Sequence, residues 1–217
     1  MILKPKTAKE WLQMRQEVGI GGSEAGTVLG VNKYQTNVDL WSIKCGLKKR
    51  PDLSDNEAVM YGKKAEEYIR ALFILDYPQY NVDYHEFWMY QNDELPFIFA
   101  TLDGELTDKE TGRRGILEIK TCTIRNKNQW FEWDDKIPDT YYAQILHQFK
   151  ATGWDFAILL AYIRHYGKDG ELKTTIRPYF IERKDVEDDI EWLVEEEKKF
   201  VEAVKSRTKP NLILPRI

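Results

Sequence analysis

The chain has 217 residues, 42% hydrophobic and 31% charged, a composition that suits one compact soluble domain rather than a disordered or membrane-embedded chain. No apolar run approaches the ~18–20 residues of a membrane span. The start, MILKPKTAKEW, lacks the apolar core of a signal peptide, and Cys45 and Cys122 have no metal spacing, so they read as reduced cytosolic thiols. Net charge is −4, which argues against tight non-specific binding to a polyanion by electrostatics alone.

The charge is unevenly spread. Residues 1–50 hold nine Lys/Arg against four Asp/Glu, and residues 51–100 hold three against ten. Thr7 to Glu10 is a capping-box pattern, and Trp11, Leu12, Met14 and Val18 form a helical stripe over about 8–17. Ile20-Gly21-Gly22-Ser23-Glu24 is a glycine turn into a second helix with Ser23 as N-cap, ended by Gly30. Thr36 to Asp39 caps a third helix closed by Gly46, and Lys48-Lys49-Arg50-Pro51 is a basic connection. Trp41, beside this basic stretch, is a candidate for stacking on an unpaired base. Ser54 to Glu57 reads as a further capping box for a long helix over 56–75, with Tyr61, Ala65, Tyr68, Ile69 and Leu72 on one face.

Two or three strands are expected over 82–106, broken at Asn92-Asp93 and Pro96. Arg125–Trp133 suggests a short helix. Pro138 opens a helix to about Thr152, with Tyr141, Gln144 and Gln148 on one face and Ile145 and Phe149 on another. Phe156–Ile163 is a continuous apolar run, the mark of a strand buried on both faces. A strand over 173–181, an acidic helix over 184–204 and an irregular tail, 206–217, complete the chain. His85, His147 and His165 have no ligand spacing and receive no role.

The stretch that carries chemistry is Ala100–Thr121. Ile116-Leu117-Glu118-Ile119-Lys120 alternates apolar and charged, so Glu118 and Lys120 share one face of a strand. If Ile98–Glu105 pairs alongside, Asp103 reaches the same face. Two carboxylates and an ammonium then converge, a donor set for a hard divalent cation. A metal-activated water can attack a phosphodiester, with the lysine holding or deprotonating it.

These residues resemble the PD-(D/E)XK nuclease superfamily, and with their neighbours the phage lambda exonuclease branch, also called YqaJ-like viral recombinases. The resemblance spans roughly residues 11–163. It rests on Trp11-x3-Arg15 with Ile20–Glu24, on Gly62-x3-Glu66, on Leu102-Asp103-Gly104, on Leu117–Lys120, and on Tyr142-Ala143-Gln144 continuing to Thr152-Gly153. Thr101-Leu102 stands where the family often has Ser-Pro.

The resemblance implies an α/β (α+β) fold, a central mixed sheet flanked by helices in a restriction-endonuclease-like core. It further implies one nuclease domain, with an N-terminal helical DNA-end-binding part (1–55), a core (56–181) and a C-terminal helix and tail (182–217). Asp103, Glu118, the Ile119 carbonyl and Glu66 would hold two Mg²⁺ or Mn²⁺ ions. Lys120 would orient or activate the water, Gln144 would orient Lys120 or the scissile phosphate, and Arg15 and Ser23 would seat a 5′-terminal phosphate.

Each residue also has a plainer reading. Glu66 can pair with Arg70 at i+4, Arg15 can answer a helix dipole, Ser23 can simply cap, and Gln144 is an ordinary amphipathic-helix residue. The activity implied is a Mg²⁺-dependent 5′→3′ exonuclease on linear double-stranded DNA in the bacterial cytoplasm. It would work as a trimeric ring and pass 3′ overhangs to a single-strand annealing protein, with no membrane partner. The alternatives are a structure- or site-specific endonuclease or nickase, and a non-catalytic DNA-binding subunit.

Overall fold

The computed structural model describes residues 1–167 and 169–214. Residues 215–217 of the expected tail, and the side chain of Val18 in the expected stripe, lie outside the described residues. In chain order the elements are β1 (Ile2–Leu3), α1 (Ala8–Val18), β2 (Ile20–Gly21), α2 (Gly22–Val28), α3 (Asn37–Lys44), α4 (Glu57–Asp76), β3 (Tyr80–Asp83) and β4 (Met89–Gln91). There follow β5 (Ile98–Ala100), β6 (Gly104–Asp108), β7 (Arg114–Ile124), α5 (Lys127–Phe131), α6 (Asp139–Thr152), β8 (Phe156–Tyr166), β9 (Leu172–Glu182) and α7 (Glu187–Lys205).

The strands form two mixed sheets. One has the order β3-β6-β7-β8-β9, with β7 and β8 parallel and the other pairs antiparallel. The smaller has the order β1-β4-β5-β2, with β2 and β5 parallel. The expected class, a mixed α/β fold with helices flanking sheets, is what the chain adopts. The expected pairing of Ile98–Glu105 beside the Glu118 strand needs correction. Pairing with β7 begins only at Gly104, opposite Leu117, whereas Ile98–Ala100 belongs to the other sheet. Asp103 therefore sits at the corner where the chain changes sheets. The region read as two or three strands holds four segments.

Two of the expected caps move. The cap of α2 is Gly21, whose N–H donates to Glu24 Oε2 at 3.0 Å, and Ser23 lies inside the first turn. Asn56, not Ser54, caps α4, its Oδ1 accepting from the N–H groups of Ala58 and Val59 at 3.1 Å. The Thr36/Asp39 box forms as read.

Helices α4 and α6 cover opposite faces of the β7–β8 pair. Leu117, Ile119, Ile158 and Leu160 pack with Ile69 and Phe73 of α4. Ile116, Leu159 and Ala161 share a second cluster with Ile145 and Phe149 of α6. Burying each of these large side chains stabilises by about 1.5–3 kcal/mol, which fixes both helices against the pair. Helix α2 lies across α6 at very short range. A Cβ at Gly26 would stand 3.0 Å from Thr140 Cγ2, and one at Gly22 would stand 3.4 Å from Gln144 Cγ. Trp41 is no exposed stacking platform: it is buried, and its indole N–H donates to the Ala203 carbonyl at 3.0 Å.

His147, given no role from sequence, is fully buried between Glu197 Oε1, 2.6 Å from Nδ1, and the Phe99 carbonyl, 2.9 Å from Nε2. A carbonyl and a carboxylate both accept, so the geometry suits the doubly protonated ring. Burial alone would lower its pKa, but Glu197 and the carbonyl outweigh that and raise it. A raised folded value means the stabilisation is complete below the unfolded value of about 6.5 and is lost as pH rises through the folded value. Replacing Glu197 by Gln should cost about 3 kcal/mol at pH 6, and the gap from wild type should narrow as pH rises through the folded value in urea unfolding.

Candidate active site

Strand β7 passes between α4 and α6, and its period of two turns Glu118 and Lys120 toward α6. Glu118 is buried in the middle of the sheet. Its Oε1 accepts from Gln144 Nε2 at 2.6 Å and lies 2.5 Å from Lys120 Nζ, while Oε2 accepts from Gln148 Nε2 at 2.6 Å. The two glutamines are four residues apart on α6, so both amides reach one carboxylate from the same helix face. Gln144 was expected on Lys120 or on a phosphate; here its amide bonds the Glu118 oxygen that Lys120 also meets. Gln148, which received no role from sequence, makes the matching bond. The Gln-x3-Gln spacing opposite an apolar face was the available signal.

Asp103 reaches this strand from the sheet corner. Its Oδ2 accepts from the Ile119 N–H at 2.8 Å, which places the carboxyl between Glu118 and Lys120 along β7. Arg70 of α4 fixes the corner: its Nε donates to the Asp103 carbonyl at 2.6 Å, and its Nη2 donates to Glu66 Oε1 at 3.0 Å. Glu66 thus makes the plain i+4 pair and also faces the acidic group.

The charges show how crowded this is. Burial, then Glu118, then Glu66 push the Asp103 carboxyl well above its ordinary range, against the pull of Lys120 and the Ile119 N–H. Burial also raises Glu66, with Arg70 opposing and Glu118 adding. Burial would lower Lys120, but Glu118 and Asp103 more than offset it, so Lys120 is held as an ammonium.

Three carboxylates thus face two cations, Lys120 and Arg70. Among the described residues, no three His, Cys, Asp or Glu side chains are drawn into a ready-made ligand shell. The donors at this spot are oxygens, and their mutual repulsion at Asp103 is what a hard divalent ion relieves. In donor type, though not in a preformed shell, these residues suit such an ion.

A second polar cluster lies on the other side of Gly22. Arg15 Nη2 donates to Ser23 Oγ at 3.2 Å, so the structure brings this expected pair together. It adds three residues that sequence reading left unassigned. Glu24 is buried, with Lys44 Nζ 2.8 Å from Oε2 and Arg50 Nη2 2.5 Å from Oε1. Burial would raise the Glu24 carboxyl, but Lys44 and Arg50 hold it below its ordinary value. Glu24 stood inside the quoted Ile20–Glu24 block, Lys44 in the third helix and Arg50 in the basic connection Lys48–Pro51.

Residues 10–155 match the YqaJ-like viral recombinase domain. The chain belongs to this family. The chain is 31% identical over 160 residues to the uncharacterized protein YqaJ of Bacillus subtilis (strain 168), an alignment that covers 68% of this chain and 43% of that protein. The YqaJ-like chain therefore spans under half the length of this curated relative. Its fold is shared with an alkaline exonuclease from Laribacter hongkongensis, at TM-score 0.66 and 19% identity over 92% of this chain and 94% of the other. It is also shared with a phage-related exonuclease from Haemophilus somnus 129PT, at TM-score 0.53 and 13% identity over 89% and 99%. Among the described residues no helix is long and apolar enough to cross a membrane.

The crowding at Asp103 has a measurable consequence. Because its folded pKa is raised, the repulsion destabilises the fold above that value and vanishes as the carboxyl is protonated. Asp103→Asn keeps an acceptor for the Ile119 N–H. In metal-free buffer at a pH above the folded pKa it should melt a few degrees above wild type, with the gain shrinking as pH falls through that value.

Proposed function

We propose that this YqaJ-like domain is a divalent-metal-dependent nuclease that digests linear double-stranded DNA from its 5′ ends, leaving 3′ single strands. One observation carries the reading. An Asp103–Glu118–Lys120 cluster built round the buried Glu118 and an Arg15–Ser23 cluster sit on either side of the α2–α6 packing, where Gly22 faces Gln144. The similarity in fold to two solved exonucleases supports it.

Asp103, Glu118, the Ile119 carbonyl and Glu66 would hold Mg²⁺ or Mn²⁺, one ion or two. When bound, the metal would lower the pKa of water from about 15.7 and neutralise charge on the phosphoryl oxygens. The chain's own groups do the positioning. Gln144 and Gln148 fix both oxygens of Glu118, so its carboxylate is presented in one orientation. Lys120, kept cationic by its neighbours, offers N–H donors to a non-bridging phosphate oxygen and to the attacking water. Arg70 holds the corner that carries Asp103. Arg15 and Ser23 offer donors to a terminal phosphate, which sets the register of the strand and hence the polarity. A trimeric ring threaded by DNA, hand-over to a strand-annealing protein and a place in the cytoplasm of a bacterial host belong to the same proposal.

The test is digestion of a duplex labelled separately at each end, run beside a covalently closed circle. Loss of label from the 5′ end and an untouched circle are expected; digestion from the 3′ end, or linearisation of the circle, would overturn the polarity or favour an endonuclease. Asp103→Ala, Glu118→Ala and Lys120→Ala should each lower the rate by about 10²-fold or more. Full activity in any one of them would remove that residue from the site.

A further inference from the structure

Arg15 and Ser23 are joined by more than the terminal-phosphate reading requires. Lys44 and Glu24 are nearly buried, their side chains 8% and 4% exposed, and Lys44 Nζ also donates to the Gly19 carbonyl. Arg50 is 41% exposed and touches Glu24 through one nitrogen, leaving its other donors toward solvent. Arg15, Lys44 and Arg50 all act on one another electrostatically. Burial and then Arg50 lower the Arg15 pKa, offset by Glu24, and burial, Arg50 and Arg15 all work against the charge on Lys44. Three cations around a single carboxylate leave two positive charges in excess, in a chain whose net charge is −4.

We propose that Arg50 is a second guanidinium of the terminal-phosphate seat, held beside Arg15 and Ser23 by the buried Glu24–Lys44 pair, and that this excess charge selects a phosphate monoester over an internal diester. The inference rests on reading Arg15 and Ser23 as that seat. A monoester carries about −1.5 to −2 near neutral pH and a diester only −1, so two excess charges are matched by the former alone. Two forked guanidiniums can bracket its oxygens, where a lysine supplies only a point charge. Glu24 touches no DNA in this arrangement and acts as a positioning residue.

Binding measured by fluorescence anisotropy without divalent ions tests this apart from hydrolysis. The probes are internally labelled duplexes ending in a 5′ phosphate, a 5′ methyl phosphate diester or a 5′ hydroxyl. Wild type should prefer the monoester over the hydroxyl by about tenfold, with the diester between. Arg50→Ala should bring monoester and diester within about twofold of each other, Arg50→Lys should restore part of the gap, and Glu24→Gln should reduce it. Lys48→Ala removes a nearby cation that pairs with Asp39 instead, and should keep the wild-type ratios.

Arg50→Ala with wild-type ratios, or Lys48→Ala losing as much as Arg50→Ala, would overturn the role of Arg50 while leaving the seat. A wild type indifferent to the terminal group would overturn the seat itself, and with it this inference.

Discussion

A carboxylate in the middle of a buried strand is costly to desolvate, by several kcal/mol unless its oxygens are answered. Glu118 is such a group, and the donors that answer it come from two directions: Lys120, two residues along the same strand, and Gln144 and Gln148 from one face of α6. Those bonds tolerate little displacement, so α6 must cross β7 at one height. The close approach of Gly26 to Thr140 of α6 then fixes α2, and with α2 the cationic cluster around Glu24. One buried charge thereby sets the spacing between an acidic centre and a basic seat.

The two clusters are opposite in sign and each is unbalanced. The acidic one gathers Asp103, Glu118 and Glu66 against Lys120 and Arg70; the basic one gathers Arg15, Lys44 and Arg50 against Glu24. A chain of net charge −4 gains little from long-range attraction to DNA. Under the proposed function, local excesses of this kind would let it grip a phosphate over a small footprint. The His147–Glu197 pair ties α7 to the helix that bears both glutamines, so the support beneath the centre is ionic as well as apolar.

Much of this could be read from the sequence where the signal was local. The alternation around Glu118 put it and Lys120 on one face, the Thr36/Asp39 box marked the start of α3, and Phe156–Ile163 declared a strand buried on both sides. What failed was non-local. Asp103-Gly104 hints at a bend in Ile98–Glu105, but nothing local shows that the chain changes sheets there. Glutamine on a helix face does not say whether it will meet Lys120 or Glu118. Trp41 finds its partner at Ala203 and His147 at Glu197, across separations that no periodicity reports. Glu24 had no role of its own in the Ile20–Glu24 block, and only packing shows that it is buried beneath Lys44 and Arg50.

The most direct measurement is an anomalous difference map from crystals soaked in Mn²⁺. A peak bridging the carboxyls of Asp103 and Glu118, beside the Ile119 carbonyl, is the expected result. A map with no peak there at saturating Mn²⁺, or with manganese bound only by other carboxylates, would contradict the assignment of this cluster as the catalytic centre.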